Sequence, residues 1–283
     1  MSRRYAVITT CHAGGWDEYG RRMVLSFDRF WHPEIPLFVY AEGFNASDLG
    51  TTDRVINFDL LKMSPWLADF KVRNKETKPA PRSEDKFNAR GRPIRRRYSR
   101  RMHNTEYMHD VVRFAHKSAA MLHAINLMKD DVDVLLWLDA DTVTHRAIDP
   151  LWFDQLFPSD HLLGLLLREK VYPETGFIAF NLKDPAIDWF RYEFEDMYAK
   201  DGFLDLASWT DCHVIEDVMH RGIAEDRFKV HSLSGGFEHT MHPFINGPLG
   251  DRMDHLKGPR RKRAGRSETD DLRRPRNEEY WAS

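Results

Sequence analysis

Two aspartates, Asp139 and Asp141, stand one residue apart at the end of an apolar run, Val134-Leu135-Leu136-Trp137-Leu138. Carboxylate oxygens bind hard divalent cations, and a cation held in this way can be shared with phosphate oxygens. An apolar run of this length, with charge on both sides, reads as a strand buried on both faces of a parallel sheet. The C-terminal ends of such strands are where open α/β sheets place their ligand crevice. Side chains two apart on an extended strand point the same way, so both carboxylates are expected to converge on one cation. The same pair can also simply end a strand and open a turn, and the rest of the chain has to decide.

Other residues able to do chemistry lie on either side. Arg113 and Lys117 are four apart in the segment before this strand, so they share a helical face, with His116 beside them. A cationic pair there suits a diphosphate or a substrate carboxylate. Downstream, Asp211 precedes the helix-like stretch Cys212–His220, and Glu216 and Asp217 lie within it. Each is a candidate general base, Asp211 first. The segment 239–267 holds three histidines, several glycines and the cationic run Arg260–Arg266. A long irregular polar segment of this kind is expected to close over a site rather than build a core.

The elements that must position these groups alternate. Tyr5–Thr10 reads as a first strand, Cys11–Gly15 as a small-residue loop, and Trp16–Trp31 as a helix. Pro36–Glu42 and Arg54–Phe58 read as further strands, Thr105–Asp130 as a long helix with Thr105 as N-cap, and Ile148–Phe157 as a short helix. Leu162–Leu167 and the run ending at Asn181 are strands, and Pro185–Ala199 and Cys212–His220 are helices. Alternating strands and helices make an α/β fold with a mainly parallel sheet. Residues 69–104 are rich in Lys, Arg, Pro and Asn and read as a polar insertion or lid. The expected organisation is one catalytic domain over residues 1–267 and a charged tail, 268–283, anchored by Tyr280 and Trp281.

With 283 residues, 42% hydrophobic, the chain can bury a core, and a net charge of −2 predicts no strong overall field. Positive charge is clustered in Arg95–Arg101 and Arg260–Arg266, runs that either are solvated or contact anions, nucleic acid among them. Cys11 and Cys212 do not make a disulfide framework, so a reducing, cytoplasmic setting is expected. No stretch approaches the ~18 apolar residues of a membrane span, and the first residues lack the apolar core of a signal peptide.

Three blocks in this order resemble the metal-dependent nucleotide-sugar glycosyltransferases of the GT-A fold, most closely the retaining group of glycogenin and the lipopolysaccharide glucosyl- and galactosyltransferases. They are Tyr5–Gly15, Asp139-Ala140-Asp141, and His255-Leu256-Lys257-Gly258-Pro259-Arg260-Arg261, which is similar to that family's His-x-x-Gly-x-x-Lys with Arg261 for the lysine. Guanidinium binds phosphate well, so the replacement keeps the chemistry. Thr175-Gly176-Phe177-Ile178-Ala179-Phe180-Asn181 resembles the Asn-Ala-Gly segment that lines the sugar pocket, and Asp211 falls where the family has Asp-Gln. The resemblance implies a Rossmann-like mixed sheet flanked by helices and transfer of a hexose from a nucleotide sugar, with uridine the expected base. It implies Mn²⁺ or Mg²⁺ on Asp139, Asp141 and His255. Donor contacts are then expected from Thr9, Thr10, Cys11, Arg113, Lys117, Asp139, Ala140, Gly176, Lys257, Gly258 and Arg261. Asp211 and Glu174 are the candidate catalytic carboxylates. The acceptor is expected to be a glycan or lipid-linked saccharide, or a polyanion such as nucleic acid with a hydroxymethylated base.

One rival fits the same residues. Leu138-Asp139-Ala140-Asp141-Thr142-Val143 resembles the first motif of haloacid-dehalogenase-type phosphatases, with Asp139 as nucleophile and Asp141 as acid/base. Gly250-Asp251-Arg252-Met253-Asp254 is similar to their late Gly-Asp-x-x-Asp. That first motif normally opens its domain, whereas an α/β unit precedes it here. The residues before the late motif, His242–Leu249, do not read as an apolar strand.

Overall fold

The computed structural model describes residues 3–78 and 105–282. β1 (Tyr5–His12) runs directly into a helical segment that starts at Ala13 and becomes the regular helix α1 (Arg21–Phe30). The loop expected at Cys11–Gly15 is therefore strand end and helix start. The His12 ring explains this, since its Nδ1 accepts the Gly15 N–H at 3.2 Å and caps the first turn.

β2 (Leu37–Glu42) and β3 (Val55–Asp59) follow, then α2 (Trp66–Asn74). This last helix corrects the expectation for the start of the polar segment. Leu67, Phe70 and Asn74 share one face and are buried, so the inner face of this helix joins the core while Asp69, Val72 and Arg73 stay exposed. Residues 79–104, with the Arg95–Arg101 run, lie outside the described residues.

The long helix is α3 (Val111–Met128), and it does not start at Thr105. Thr105–Met108 is a separate short helix. The Asp110 carboxylate caps α3 by accepting the Arg113 N–H at 3.1 Å. β4 (Val134–Leu138), β5 (Thr142–Thr144), α4 (Pro150–Leu156), β6 (Leu163–Arg168), β7 (Val171–Asn181), α5 (Ile187–Ala199), α6 (Asp211–Ala224), β8 (Val230–Ser232), β9 (Met253–His255) and α7 (Pro259–Ala264) complete the regular elements used below.

Seven strands form one sheet in the order β3-β2-β1-β4-β7-β6-β8. The pairs β1/β2, β2/β3, β1/β4 and β6/β8 are parallel, while β7 is antiparallel to both neighbours. This is the mixed, mainly parallel sheet flanked by helices that the alternation of elements predicts. β4 is buried throughout because both of its faces are covered. Leu135 and Trp137 pack toward α3, α5 and α6, while Val134, Leu136 and Leu138 pack toward Phe27, Phe153 and the C-terminal segment.

β5 and β9 form a separate two-stranded antiparallel ribbon. Behind it the charged tail is fastened. Trp281 is 3% exposed and donates from Nε1 to the Gly250 carbonyl at 3.0 Å. Tyr280 stacks on His145, ring centroids 4.2 Å apart and nearly coplanar. Burial there pushes the His145 imidazole down to about 4. The folded state thus favours neutral His145, and the unfolded chain binds the extra proton between pH 6.5 and about 4. Stability from this site is complete above pH 6.5 and is lost as pH falls through that window, up to about 3 kcal/mol at about 1.4 kcal/mol per unit. Denaturant unfolding at pH 7 and pH 4.5 is expected to show a smaller stability loss for His145→Phe than for the wild type. An equal loss would place the acid sensitivity elsewhere.

Candidate active site

The peptide after β4 does not stay extended. The Thr142 N–H donates to the Asp139 carbonyl at 3.0 Å, so Asp139–Thr142 is a tight turn. The two carboxylates converge because of this turn, not because of strand periodicity. The Asp139 N–H continues the β4–β7 ladder to the Gly176 carbonyl at 2.9 Å. On the other side, β9 pairs with β5 so that His255 lies opposite Thr142, and the Leu256 N–H donates to the Asp141 carbonyl at 2.8 Å. Residues more than a hundred positions apart are joined by this ribbon.

His255 Nε2 lies 3.2 Å from Asp141 Oδ1 and 3.5 Å from Asp139 Oδ2. The Nδ1 atom on the other side of the ring lies 3.0 Å from Glu174 Oε1. Gly176 makes room for the ring, since a Cβ there would lie 2.5 Å from His255 Cε1. Burial alone would lower the His255 pKa, but Asp141, Asp139 and Glu174 override it and hold it well above its ordinary value.

Asp139 is also gripped from the α3 side. Its Oδ1 accepts from Lys117 Nζ at 2.9 Å and from Trp137 Nε1 at 2.7 Å, which leaves Oδ2 to face the cluster. Lys117 continues to Asp211 Oδ2 at 2.9 Å, and that oxygen also accepts the Thr175 hydroxyl at 2.6 Å. Desolvation opposes ionisation of both buried partners. The mutual attraction outweighs it, holding Asp139 below its usual range and Lys117 above its own. Asp141, whose burial works against ionisation, is likewise held down by His255 and Lys262.

The remaining sequence candidates separate into two groups. Lys257 is half exposed and 3.6 Å from Glu174 Oε1, and Gly258 has φ +88 with open space where a Cβ would sit. Ala140 is buried in the turn between the two aspartates. Thr10 donates to the Tyr40 carbonyl, Thr9 has a buried hydroxyl, and burial pushes the Cys11 thiol up to about 12. Arg113 and Arg261 point elsewhere. Arg113 pairs with Asp110 at 3.4 Å on its own helix. Arg261 is held by both oxygens of Asp271, with Nε at 2.9 Å and Nη2 at 2.5 Å. The cation that meets Asp141 is the next residue, Lys262, 3.0 Å from Oδ2 and 4.1 Å above the Tyr19 ring. His116 faces Glu42 at 2.9 Å.

Sequence reasoning passed over Lys262, Trp137, Thr175 and His242 as site residues. Trp137 had a usable signal, being two residues before Asp139 on one strand face. The rival phosphatase reading loses its late motif here. Asp254 is fully buried and accepts from Ser267 and Tyr280, and Asp251 pairs with Arg274 and Arg276. β4 is also flanked on one side by an antiparallel strand. Two arginines of the run Arg260–Arg266 are engaged internally as well, Arg260 on Glu268 and Asp271 and Arg266 over Tyr280.

No protein-family model matches this chain, and no curated protein matches it by sequence. Among solved structures, the bifunctional glycosyltransferase WbbM matches 92% of this chain at 13% identity with a TM-score of 0.51. The match covers 46% of WbbM, so this chain spans about half the length of that protein. Mouse xyloside xylosyltransferase 1 matches at 13% identity and TM-score 0.43, covering 81% of this chain and 84% of that one. The galactosyltransferase LgtC, solved with donor and acceptor sugar analogs, matches at 16% identity and TM-score 0.46, covering 90% and 87%. The likeness is one of fold, and the sheet of this chain is of the GT-A kind.

The fit of the His255 ring against Gly176 gives a direct check. Gly176→Ala is expected to displace the imidazole from Asp139 and Asp141 and to lower the melting temperature, since a Cβ at 2.5 Å cannot be accommodated without movement. A crystal structure of the variant with His255 unmoved would show that the glycine is not what makes room for the ring.

Proposed function

We propose that this chain is a metal-dependent glycosyltransferase that moves a hexose from a nucleotide-diphosphate sugar, UDP-linked, to a saccharide hydroxyl with retention of configuration. The observation that carries the proposal is the convergence of Asp139, Asp141 and His255, whose donor atoms lie within 4.8 Å of one another. Two carboxylates and one imidazole suit Mn²⁺ or Mg²⁺ better than a thiolate-seeking metal, so the residues fit the ion. Bound there, the ion would supply positive charge to the departing nucleotide diphosphate.

The chain's own residues do the rest. Lys117 and Trp137 keep Asp139 ionised and turned so that Oδ2 faces His255, where it would be free to hold the ion. Lys262, rather than Arg261, is the ammonium placed to leave Asp141 for a donor phosphate, with Lys257 beside it. Thr9, Thr10 and Cys11 lie near the C-terminal end of β1, the strand next to β4, at the end of the sheet where the donor would sit. Asp211 is 3% exposed, with Thr175 and Lys117 on its Oδ2. A base for an acceptor hydroxyl must come within hydrogen-bond reach of that proton. Asp211 tied in this way argues against it as the base of an inverting reaction, and retention is proposed from the likeness of the His255 motif. With Arg260, Arg261 and Arg266 engaged inside the chain, a glycan or lipid-linked saccharide is the better acceptor.

A thermal-shift panel of nucleotides and nucleotide sugars, with and without Mn²⁺, tests the proposal on the wild type and Asp141→Asn. A ligand at ~100 times its dissociation constant adds about 2.7 kcal/mol to stability. Stabilisation by a UDP-sugar is expected to need Mn²⁺ and to vanish in the variant. No response to any nucleotide, with turnover of p-nitrophenyl phosphate instead, would revive the phosphatase reading. NMR of the product's anomeric proton then reports retention or inversion.

A further inference from the structure

The two nitrogens of His255 face different partners, and the partner on the far side from the aspartates is itself held in place. Glu174 has a 1% exposed side chain, and its Oε1 lies 3.0 Å from His255 Nδ1. His242 approaches the same carboxylate with its own Nδ1, 2.9 Å from Oε1 and 3.2 Å from Oε2. The other nitrogen of His242, Nε2, is 3.2 Å from the main-chain oxygen of His255. The contacts therefore close a ring. Glu174 holds the His255 side chain, His242 holds Glu174, and His242 also holds the His255 backbone.

The ring is packed on all sides. His242 and His255 are 8% and 3% exposed, and the Phe244 ring sits 5.1 Å from that of His255. Arg168 Nη1 donates to the Met241 carbonyl at 3.1 Å, next to His242. A carboxylate this deeply buried is costly unless it is paired and hydrogen-bonded. Among the described residues its partners are His242, His255 and Lys257. The spacings of 2.9–3.2 Å are those of hydrogen bonds.

We propose that Glu174 and His242 are positioning residues for His255. The inference rests on the metal-dependent reading above. It reassigns Glu174, which the sequence offered as a catalytic carboxylate. With a cation bound in place of the Nε2 proton, Nδ1–H donating to Glu174 would fix the tautomer whose Nε2 lone pair is offered on the side of Asp139 and Asp141. The carboxylate at Nδ1 also makes Nε2 a better donor to a cation. The His242 contact to the His255 carbonyl keeps β9 seated on β5 at the residue where the ribbon enters the site.

Binding of Mn²⁺ alone, followed by the EPR signal of the free ion, separates this inference from the one it rests on. The wild type is expected to bind one ion. Glu174→Ala should weaken that binding by about 10–100-fold. Glu174→Gln, which keeps the volume and an oxygen able to accept from Nδ1–H, should lose less, and His242→Phe should weaken binding in the same direction. In ¹⁵N-labelled protein with diamagnetic Mg²⁺, the His255 signals should report Nδ1–H in the wild type and lose that signature in Glu174→Ala. Circular dichroism establishes that each variant is folded, and Glu174→Gln carries the test if Glu174→Ala is not. Wild-type affinity in the folded Glu174 and His242 variants would overturn the positioning role while leaving the metal site intact. Two ions bound per chain would overturn it in favour of a second metal among Glu174, His242 and His255. No Mn²⁺ binding by the wild type would overturn the metal-dependent reading, and this inference with it.

Discussion

Everything at the site depends on the antiparallel pairing of Thr142–Thr144 with Met253–His255. The pairing is short, and on its own a two-stranded ribbon of this length is not stable in water. It persists because both strands are clamped from outside. Trp31 Nε1 donates to the Thr144 hydroxyl at 2.9 Å, and the Ser26 hydroxyl accepts the Thr144 N–H at 3.0 Å, so α1 holds one strand. Asp254, fully buried, is satisfied by Ser267 and Tyr280, so the C-terminal segment holds the other. The register is thus fixed by side chains on both sides of the ribbon. A slip of one residue would turn His255 away from the aspartates and bring Asp254 toward them.

Given that register, the site is a problem in charge. Asp139, Asp141, Glu174 and Asp211 are four carboxylates in a largely buried space. Like charges this close disfavour ionisation unless cations intervene. The chain interposes Lys117 between Asp139 and Asp211, His255 between the aspartate pair and Glu174, and Lys262 beside Asp141. Two of these cations differ in kind. Lys117 is 12% exposed, fixed by a carbonyl and two carboxylates, and belongs to the framework. Lys262 touches one carboxylate from a surface helix, over an aromatic ring, and in the proposed reaction it would exchange that partner for a phosphate.

The fold was largely legible because its signals are local. Buried strands such as Val134–Leu138 announce themselves by unbroken apolar runs, and the helix Val111–Met128 by its spacing. What the sequence hid depended on partners far along the chain. Residues 69–74 look polar by composition, yet Leu67, Phe70 and Asn74 find a core to enter, and that choice is tertiary. The helix start at Asp110 rather than Thr105 turned on one carboxylate reaching one N–H. At the site, Asp139, Asp141 and His255 were readable from motif likeness. The surroundings of Glu174 were not, because its partners His242 and His255 lie 68 and 81 residues away.

The exchange of Arg261 for Lys262 as the cation facing Asp141 follows from helix geometry. Successive residues on an α-helix point about 100° apart, so at most one of the two can face the aspartates. Asp271 decides which. It sits in the turn after α7, where its oxygens accept Arg261 through two parallel bonds and also meet Arg260. A planar guanidinium matched to a carboxylate in this way is held more firmly than an ammonium would be. Asp271 is correspondingly pushed down to about 2, burial opposing the shift and Arg261 chiefly driving it. The pairing commits Arg261 to fastening the C-terminal segment, and the same rotation of the helix presents Lys262 to Asp141 and the Tyr19 ring. A lysine at 261 could not make the two-bond grip on Asp271. An arginine there and a lysine at 262 divide one task of anchoring and one of charge between neighbours on a single turn.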